Sequence, residues 1–424
     1  FITNFNYFLV IHSIKHASIK YTNARAGAGG QNSEGVQYSR DNFPSNAKSK
    51  LRILTMAASL LRFRTSLVPF SLMTNFLEIS RLPFSTASAS PSKRVGVHNG
   101  TFHCDEALGC FMISLTSKFH GARIIRTRNL EVLDTLDAVL DVGGVYDPSS
   151  NRFDHHQKGF DEILCNGFST KLSSAGLVYK HYGVEIIAKE IQMDEGHPDV
   201  HSLFLAVYKN FVEAVDAIDN GINQYETDQP PRYVNNTTLS SRISRLNMNW
   251  YDTDQSSEKE DQAFQHAMAL AGSEFINCIH FHAKSWLPAR SVVMECLAAR
   301  KDIDPSGEIM LLTKSCPWKF HIFDLEVELK IDPLLKYVIY QVLNTPFCST
   351  EGFLHKWRVQ AVAVSPDKFE SRKPLPSHWR GLTDDHLSEV AGISGCVFVH
   401  TSGFIGGNKT YEGVLAMARA SLLA

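Results

Sequence analysis

The chain has 424 residues, 44% hydrophobic and 20% charged, an ordinary globular balance at a length that suits two domains and a tail. A net charge of -2 excludes a basic field over the whole molecule, so a nucleic-acid partner requires a local patch. The 8 cysteines are scattered without a Cys-x-x-Cys pair, which argues against a disulfide framework or zinc knuckle and for a reducing compartment; no apolar run is as long as a membrane span.

Residues 1–55 carry no periodic apolar pattern, and Arg25-Ala26-Gly27-Ala28-Gly29-Gly30 reads as a flexible stretch. From Met56 the chain is rich in arginine, serine and apolar residues. It has no acid between Phe43 and Leu77, and Glu78 stands alone before Asp105. That is the bias of an organellar import peptide, with residues 81–87 as a processing region. Residues 1–92 are therefore expected to be a targeting or disordered segment starting in effect at Met56. The expected destination is the mitochondrion, with the nucleus or cytoplasm as further locations; chloroplast import has the same bias.

The folded part opens with Arg94-Val95-Gly96-Val97-His98, a short buried strand running into a polar loop. Apolar residues at helical spacing predict a helix over 105–119. A strand over 122–127, a short helix over 130–136 and a strand over 137–142 follow, the last closed by Gly143-Gly144. Strand, helix, strand, helix, strand implies an α/β fold with a parallel sheet and crossover helices. Ligands of such sheets gather beyond the carboxyl ends of the strands, where His98 and Asp141 sit. Helices are predicted over 173–182, 202–218 and 262–282, with 228–257 as a polar loop or lid. A second, smaller α+β domain should begin near 286, with strands over 308–312, 337–342, 358–364 and 396–400 and a closing helix over 411–422.

The chemistry concentrates in the first half, in 93–285. His98, His103, Asp105, Asp141, the triplet Asp154-His155-His156 and the pair Asp216/Asp219 all fall at strand or helix ends. Imidazole nitrogen and carboxylate oxygen together suit divalent ions such as Mn²⁺ or Zn²⁺. Water activation needs several such ligands and an open coordination position, and two ions about 3.5–4 Å apart can share a bridging carboxylate. Asp141, leaving the sheet centrally, is the candidate bridge. Each group also has a bland reading; Asp105 and Glu106, for example, lie in a first helical turn where acids are favoured by the macrodipole anyway. Gly406, Gly407, Asn408 and Lys409 precede a helix and form a candidate anion cradle, or a plain loop capped by Asn408 or Thr410. Arg232, Arg242, Arg245, Lys284, Trp286 and Arg290 offer the cations and ring that single strands use, or are scattered solvated side chains.

His98…His103-x-Asp105, Asp141, Asp154-His155-His156 and Asp219 before Asn220-Gly221 resemble, in order, the motifs of the DHH phosphoesterase superfamily. Gly100-Thr101-Phe102-His103-Cys104-Asp105-Glu106-Ala107, Arg152-Phe153-Asp154-His155-His156-Gln157 and Gly403-Phe404-Ile405-Gly406-Gly407-Asn408-Lys409 resemble the Myg exonuclease family more closely, over roughly residues 93–422. The resemblance implies a metal-binding domain followed by a substrate-holding one. It implies Mn²⁺-type phosphodiester hydrolysis (Mg²⁺ and Zn²⁺ are the alternatives) and 3′–5′ exonuclease action on RNA. By motif, His98, His103, Asp105, Asp141, His155 and Asp219 would be ligands and His156 would face the substrate phosphate. Asp154 would orient the neighbouring imidazole. The choice between Asp216 and Asp219 stays open, the following Asn-Gly favouring Asp219. The first motif departs from the superfamily's His-x-x-x-Asp-x-Asp by one extra residue and by His103 in place of the first Asp. Rival functions for the same residues are a phosphohydrolase of pyrophosphate or nucleotides and a non-catalytic metal-binding RNA adaptor.

Overall fold

A computed structural model describes residues 92–164, 167–342 and 356–424. The expected import segment before residue 92 lies outside the described residues. The described part is a mixed α/β structure with two five-stranded sheets.

The first sheet holds β1 (Arg94–Val97), β2 (Arg123–Arg126), β3 (Ala138–Leu140), β4 (Tyr146–Asp147) and β5 (Arg152–Phe153), in the order β2-β1-β3-β5-β4. β1 pairs parallel with β2 and β3, and β3 pairs parallel with β5; β4 runs antiparallel to β5. Parallel neighbours need a crossover, which α1 (Cys104–Leu115) and α2 (Leu130–Leu133) provide. Val95, Val97, Ala138, Val139 and Leu140 are buried, as in a parallel sheet covered on both faces. The helix predicted over 105–119 stops at Leu115 because Thr116 turns to extended backbone and its hydroxyl donates to the Ile113 carbonyl.

Helices α3 (Ser174–Ile191), α4 (Pro198–Val207), α5 (Glu213–Asp219), α6 (Leu239–Ser244) and α7 (Ser257–Phe281) complete this half. A five-residue π turn, Tyr208–Val212, joins α4 to α5, so the single helix expected over 202–218 is interrupted. The region expected to be a loop over 228–257 contains α6, capped by the Thr238 hydroxyl. α1 packs against α3 and α7. Phe264, Ala267, Ala271, Phe275 and Ile279 of α7 belong to the same core as Val95, Leu108 and Leu140.

α7 continues through a second π turn, His282–Trp286, into α8 (Leu287–Ala298). Pro288 in the first turn of α8 has no N–H to give the preceding turn, a recognised cause of such a widening. Val293, Cys296 and Leu297 of α8 then enter a different core. The predicted domain junction at 285/286 falls inside this π turn.

After α9 (Arg300–Ile303), the second sheet takes the order β6-β7-β8-β10-β9. Its strands are β6 (Ile309–Leu312), β7 (Tyr337–Val342), β8 (Lys356–Ala361), β9 (Cys396–Val399) and β10 (Ile405–Asn408). β6 and β7 are parallel and the remaining pairs antiparallel. α8 and α10 (Lys319–Glu328) cover one face; α11 (Asp384–Ala391) and α12 (Tyr411–Leu423) pack with the other. α8, α10, α11 and β10 were not among the predicted elements.

Candidate metal centre

Three neighbouring parallel strands, β1, β3 and β5, end on one edge of the first sheet, and each hands the chain to a polar residue there. His98 follows β1, Asp141 follows β3, and Asp154-His155-His156 follows β5. Shared strand direction thus converges groups far apart in sequence. Asp141 has a left-handed backbone, φ 57°, uncommon for a residue other than glycine and a form of local strain found at functional sites.

Asp141 is the hub. Its Oδ2 lies 3.3 Å from His98 Nε2, and its Oδ1 lies 3.3 Å from His155 Nε2 and 3.5 Å from His156 Nδ1. The two oxygens therefore face different histidines. Ser174 Oγ donates to Oδ1 at 2.9 Å and fixes the carboxylate. His155 Nε2 is also 3.1 Å from Asp219 Oδ2. Both distances at His155 are ion-pair distances, yet neither ring nitrogen makes a hydrogen bond. At these distances the geometry does not suit hydrogen bonds.

Glu106 completes the near side. Its Oε1 accepts from the His103 backbone N–H at 2.7 Å and lies 3.0 Å from His98 Nε2. Its Oε2 is buried without a partner, as are both oxygens of the fully buried Asp105. Three groups of side chains bring ligand atoms close enough to hold an ion: His98, His103, Glu106 and Asp141; Asp141, His155 and His156; and His103, Asp105 and Asp219. A buried carboxylate with no donor is costly unless a cation completes it. The orphaned oxygens and the mixed oxygen and nitrogen donors fit a divalent metal.

The electrostatics carry the same tension. Burial alone would push the His98 imidazole down, but Asp141 and Glu106 override it and lift its pKa to about 10. Burial is likewise overridden at His155, which Asp141 and Asp219 raise to about 10. Asp141 is held below the usual carboxylate range, its burial outweighed by His155, His98 and His156. Asp105 is pushed well above its ordinary value, first by burial and then by the charges of Asp141, Glu106 and Asp219.

Asp154 fixes the last imidazole. Its Oδ1 accepts from His156 Nδ1 at 2.9 Å and from the His156 backbone at 3.0 Å, and its Oδ2 accepts from Gly144 N at 2.5 Å. An ionised carboxylate can only accept, so His156 carries its proton on Nδ1 and leaves Nε2 free. His156 is exposed, whereas Asp154 and His155 are buried.

Two groups of residues named from the sequence lie apart from the centre. Asp216 is not in the donor set. Its Oδ1 accepts from Ser173 Oγ at 2.7 Å and from the N–H groups of Ser173 and Gly176 at 3.0 Å, and its Oδ2 accepts from Tyr208 OH at 3.0 Å. This carboxylate caps the start of α3 and is saturated; any Cβ at Gly176 would collide with it. Asp219, three residues on, is the member of the pair that reaches the centre. Nor do Gly406, Gly407 and Asn408 form an anion loop. They lie buried in β10, where the Asn408 amide donates to Ser394 O at 3.0 Å and its carbonyl accepts from Thr410 N at 3.0 Å. Gly407 makes room for a side chain instead: a Cβ there would lie 2.7 Å from Arg358 Nη1. Lys409 is exposed beyond the strand end, and Thr410 caps α12 through Gly413 N.

Two further residues escaped sequence reasoning. Glu106 was assigned to the helix macrodipole; only its position beside Asp105, after two histidines, hinted at more. Arg128, beyond β2, places Nη2 3.1 Å from His98 Nδ1.

A family model described as Uncharacterised protein family (UPF0160), for MYG1 exonucleases, matches residues 94–422. The chain is 45% identical over 370 residues to a MYG1 exonuclease of Bos taurus, covering 85% of this chain and 93% of the relative. It is 48% identical over 335 residues to a MYG1 exonuclease of Homo sapiens, covering 78% and 85%. A MYG1 protein of Dictyostelium discoideum is 41% identical over 325 residues, covering 77% and 95%. No solved structure matches.

Proposed function

We propose, for a chain that belongs to the MYG1 exonuclease family, that it is a divalent-metal-dependent phosphodiesterase shortening single-stranded RNA from the 3′ end. One observation carries this reading: the two oxygens of Asp141 face separate histidines, as a carboxylate bridging two ions requires. His98, His103, Asp105, Glu106, Asp141, His155 and Asp219 would hold the ions, with Mn²⁺ the first choice and Mg²⁺ or Zn²⁺ compatible with the same donors. Bound there, divalent ions offset phosphodiester charge and lower the pKa of water.

The chain's own residues do the rest. Asp154 holds the His156 ring by Nδ1 and favours its protonated form, whose Nε2–H would donate to a phosphate oxygen. Ser174 keeps Asp141 from rotating. Burial of His98, Asp105, Asp141 and His155 limits competing water. The order of the motifs supports placement in the DHH phosphoesterase superfamily. RNA as substrate, 3′ polarity and a substrate-holding second half rest on that resemblance. Mitochondrial import rests on the acid-free stretch after Met56.

The test is incubation of the purified chain with Mn²⁺ and a 5′-labelled single-stranded RNA. A ladder of products shortened stepwise from the 3′ end, abolished by EDTA, is expected. Phosphate release from pyrophosphate with RNA untouched would replace this reading by a small-substrate phosphohydrolase. Retention of RNA without cleavage would replace it by an adaptor.

A further inference from the structure

Arg126 and Arg128 lie two residues apart on and beyond β2, and they do different things. The Arg126 side chain is buried, and both of its terminal nitrogens are engaged, while Nε has no hydrogen-bond partner. Nη1 pairs with Glu260 at 2.5 Å, Nη2 donates to Gly100 O at 2.7 Å, and the guanidinium lies against the rings of Phe102 and Phe264. Arg128 is exposed. Val97 is the register partner of Arg126, so the residues beyond the two parallel strands stay side by side. Arg128 therefore flanks His98 and Asn99: Nε donates to Asn99 O at 3.3 Å, and Nη2 lies 3.1 Å from His98 Nδ1. Among the described residues Arg128 makes no ion pair, and no other arginine or lysine hydrogen-bonds to or ion-pairs with a side chain of the donor set.

That position matters because of the charge it borders. Asp105, Glu106, Asp141, Asp154 and Asp219 converge on one edge. A phosphodiester approaching them meets like charge, which ions held at their centre would offset only in part against five carboxylates. A guanidinium at the rim, anchored by Nε and with donors left over, supplies the missing attraction. Its planar fork matches two phosphate oxygens, which a lysine ammonium does not.

We propose that Arg128 is the phosphate-binding residue of the centre, holding the non-bridging oxygens of the group brought to the ions. The proposal deepens the phosphodiesterase reading and rests on it for the identity of the substrate. Its test uses two probes on the full chain loaded with Mn²⁺: calorimetric binding of inorganic phosphate, and KM and kcat on a short single-stranded RNA. Arg128→Ala should weaken phosphate binding and raise KM by about 10- to 100-fold, the range for a lost charge-assisted hydrogen bond pair. Mn²⁺ stoichiometry and melting temperature should not move, and Arg128→Lys should recover part of the loss.

Unchanged phosphate affinity in Arg128→Ala overturns the assignment, as does a wild type that binds no phosphate. Loss of Mn²⁺ along with phosphate also overturns it, because the arginine would then act only by positioning His98. A wild type that binds phosphate through Arg128 but cuts no RNA sinks the phosphodiesterase reading and leaves the arginine in place.

Discussion

Two buried carboxylates, Asp216 beneath the start of α3 and Asp105 at the start of α1, have opposite surroundings. Asp216 has donors on both oxygens, from Ser173, Gly176 and Tyr208. Asp105 has none, and faces Glu106, Asp141 and Asp219. Both are fully buried, so burial does not distinguish them. What distinguishes a structural acid from one awaiting a cation is whether the fold itself answers its lone pairs. The pocket around Asp216 is closed chemistry; the edge around Asp105 and Asp141 is open.

The sharpest way to break that contrast is at the open edge. Asp141→Ala should reduce Mn²⁺-dependent cleavage to background and abolish paired ion binding, while circular dichroism and melting temperature stay native. Retained turnover would remove Asp141 from the hub. The closed pocket should respond the other way. Asp216→Ala strands the donors at the start of α3 and should cost about 2–4 kcal/mol in denaturant unfolding, with Mn²⁺ stoichiometry intact. A lost ion with unchanged stability would reverse the assignment.

Asp154→Asn tests a residue between these extremes. It leaves the ion ligands in place but can no longer dictate the His156 proton position, so activity should fall about 10- to 100-fold, as for other oriented imidazoles. Finer still is a pH effect. Burial raises the Asp216 carboxyl to about 7, its hydrogen bonds opposing that rise. The folded state therefore binds its proton more tightly than the unfolded chain, whose carboxyl titrates near 4. The stabilisation is complete below that range and is lost as pH rises through about 7. Stability should decline between about pH 4 and 7, and Asp216→Asn should flatten the decline; an equal slope in the variant would reject it. At the small end, Lys409→Ala should change neither cleavage nor stability by more than about 0.5 kcal/mol, as for a surface residue. A raised KM would restore the anion role that β10 argues against.

How much of this was legible in the sequence follows from the range of the forces involved. His98 and Asp141 stand directly after apolar runs, so their place at strand ends could be read from local pattern. β4 and β5 are two residues each, too short to leave a period, so the strand that delivers Asp154 and His155 was invisible. The division of labour between Asp216 and Asp219 depends on Ser173, 43 residues before Asp216, and no local rule contains it. Glu106 was hidden by a sufficient local explanation, the helix macrodipole. Gly406-Gly407 misled because a glycine pair marks close approach without saying by what; here the visitor at Gly407 is Arg358 of the neighbouring strand.

The rod formed by α7, the π turn and α8 has a practical consequence. Its first turns fill one apolar interior with Phe264, Phe275 and Ile279, and its last turns fill another with Val293 and Leu297. Severing the chain near 285 would leave each fragment with a greasy stump in water, so the halves should be produced and handled as a single piece.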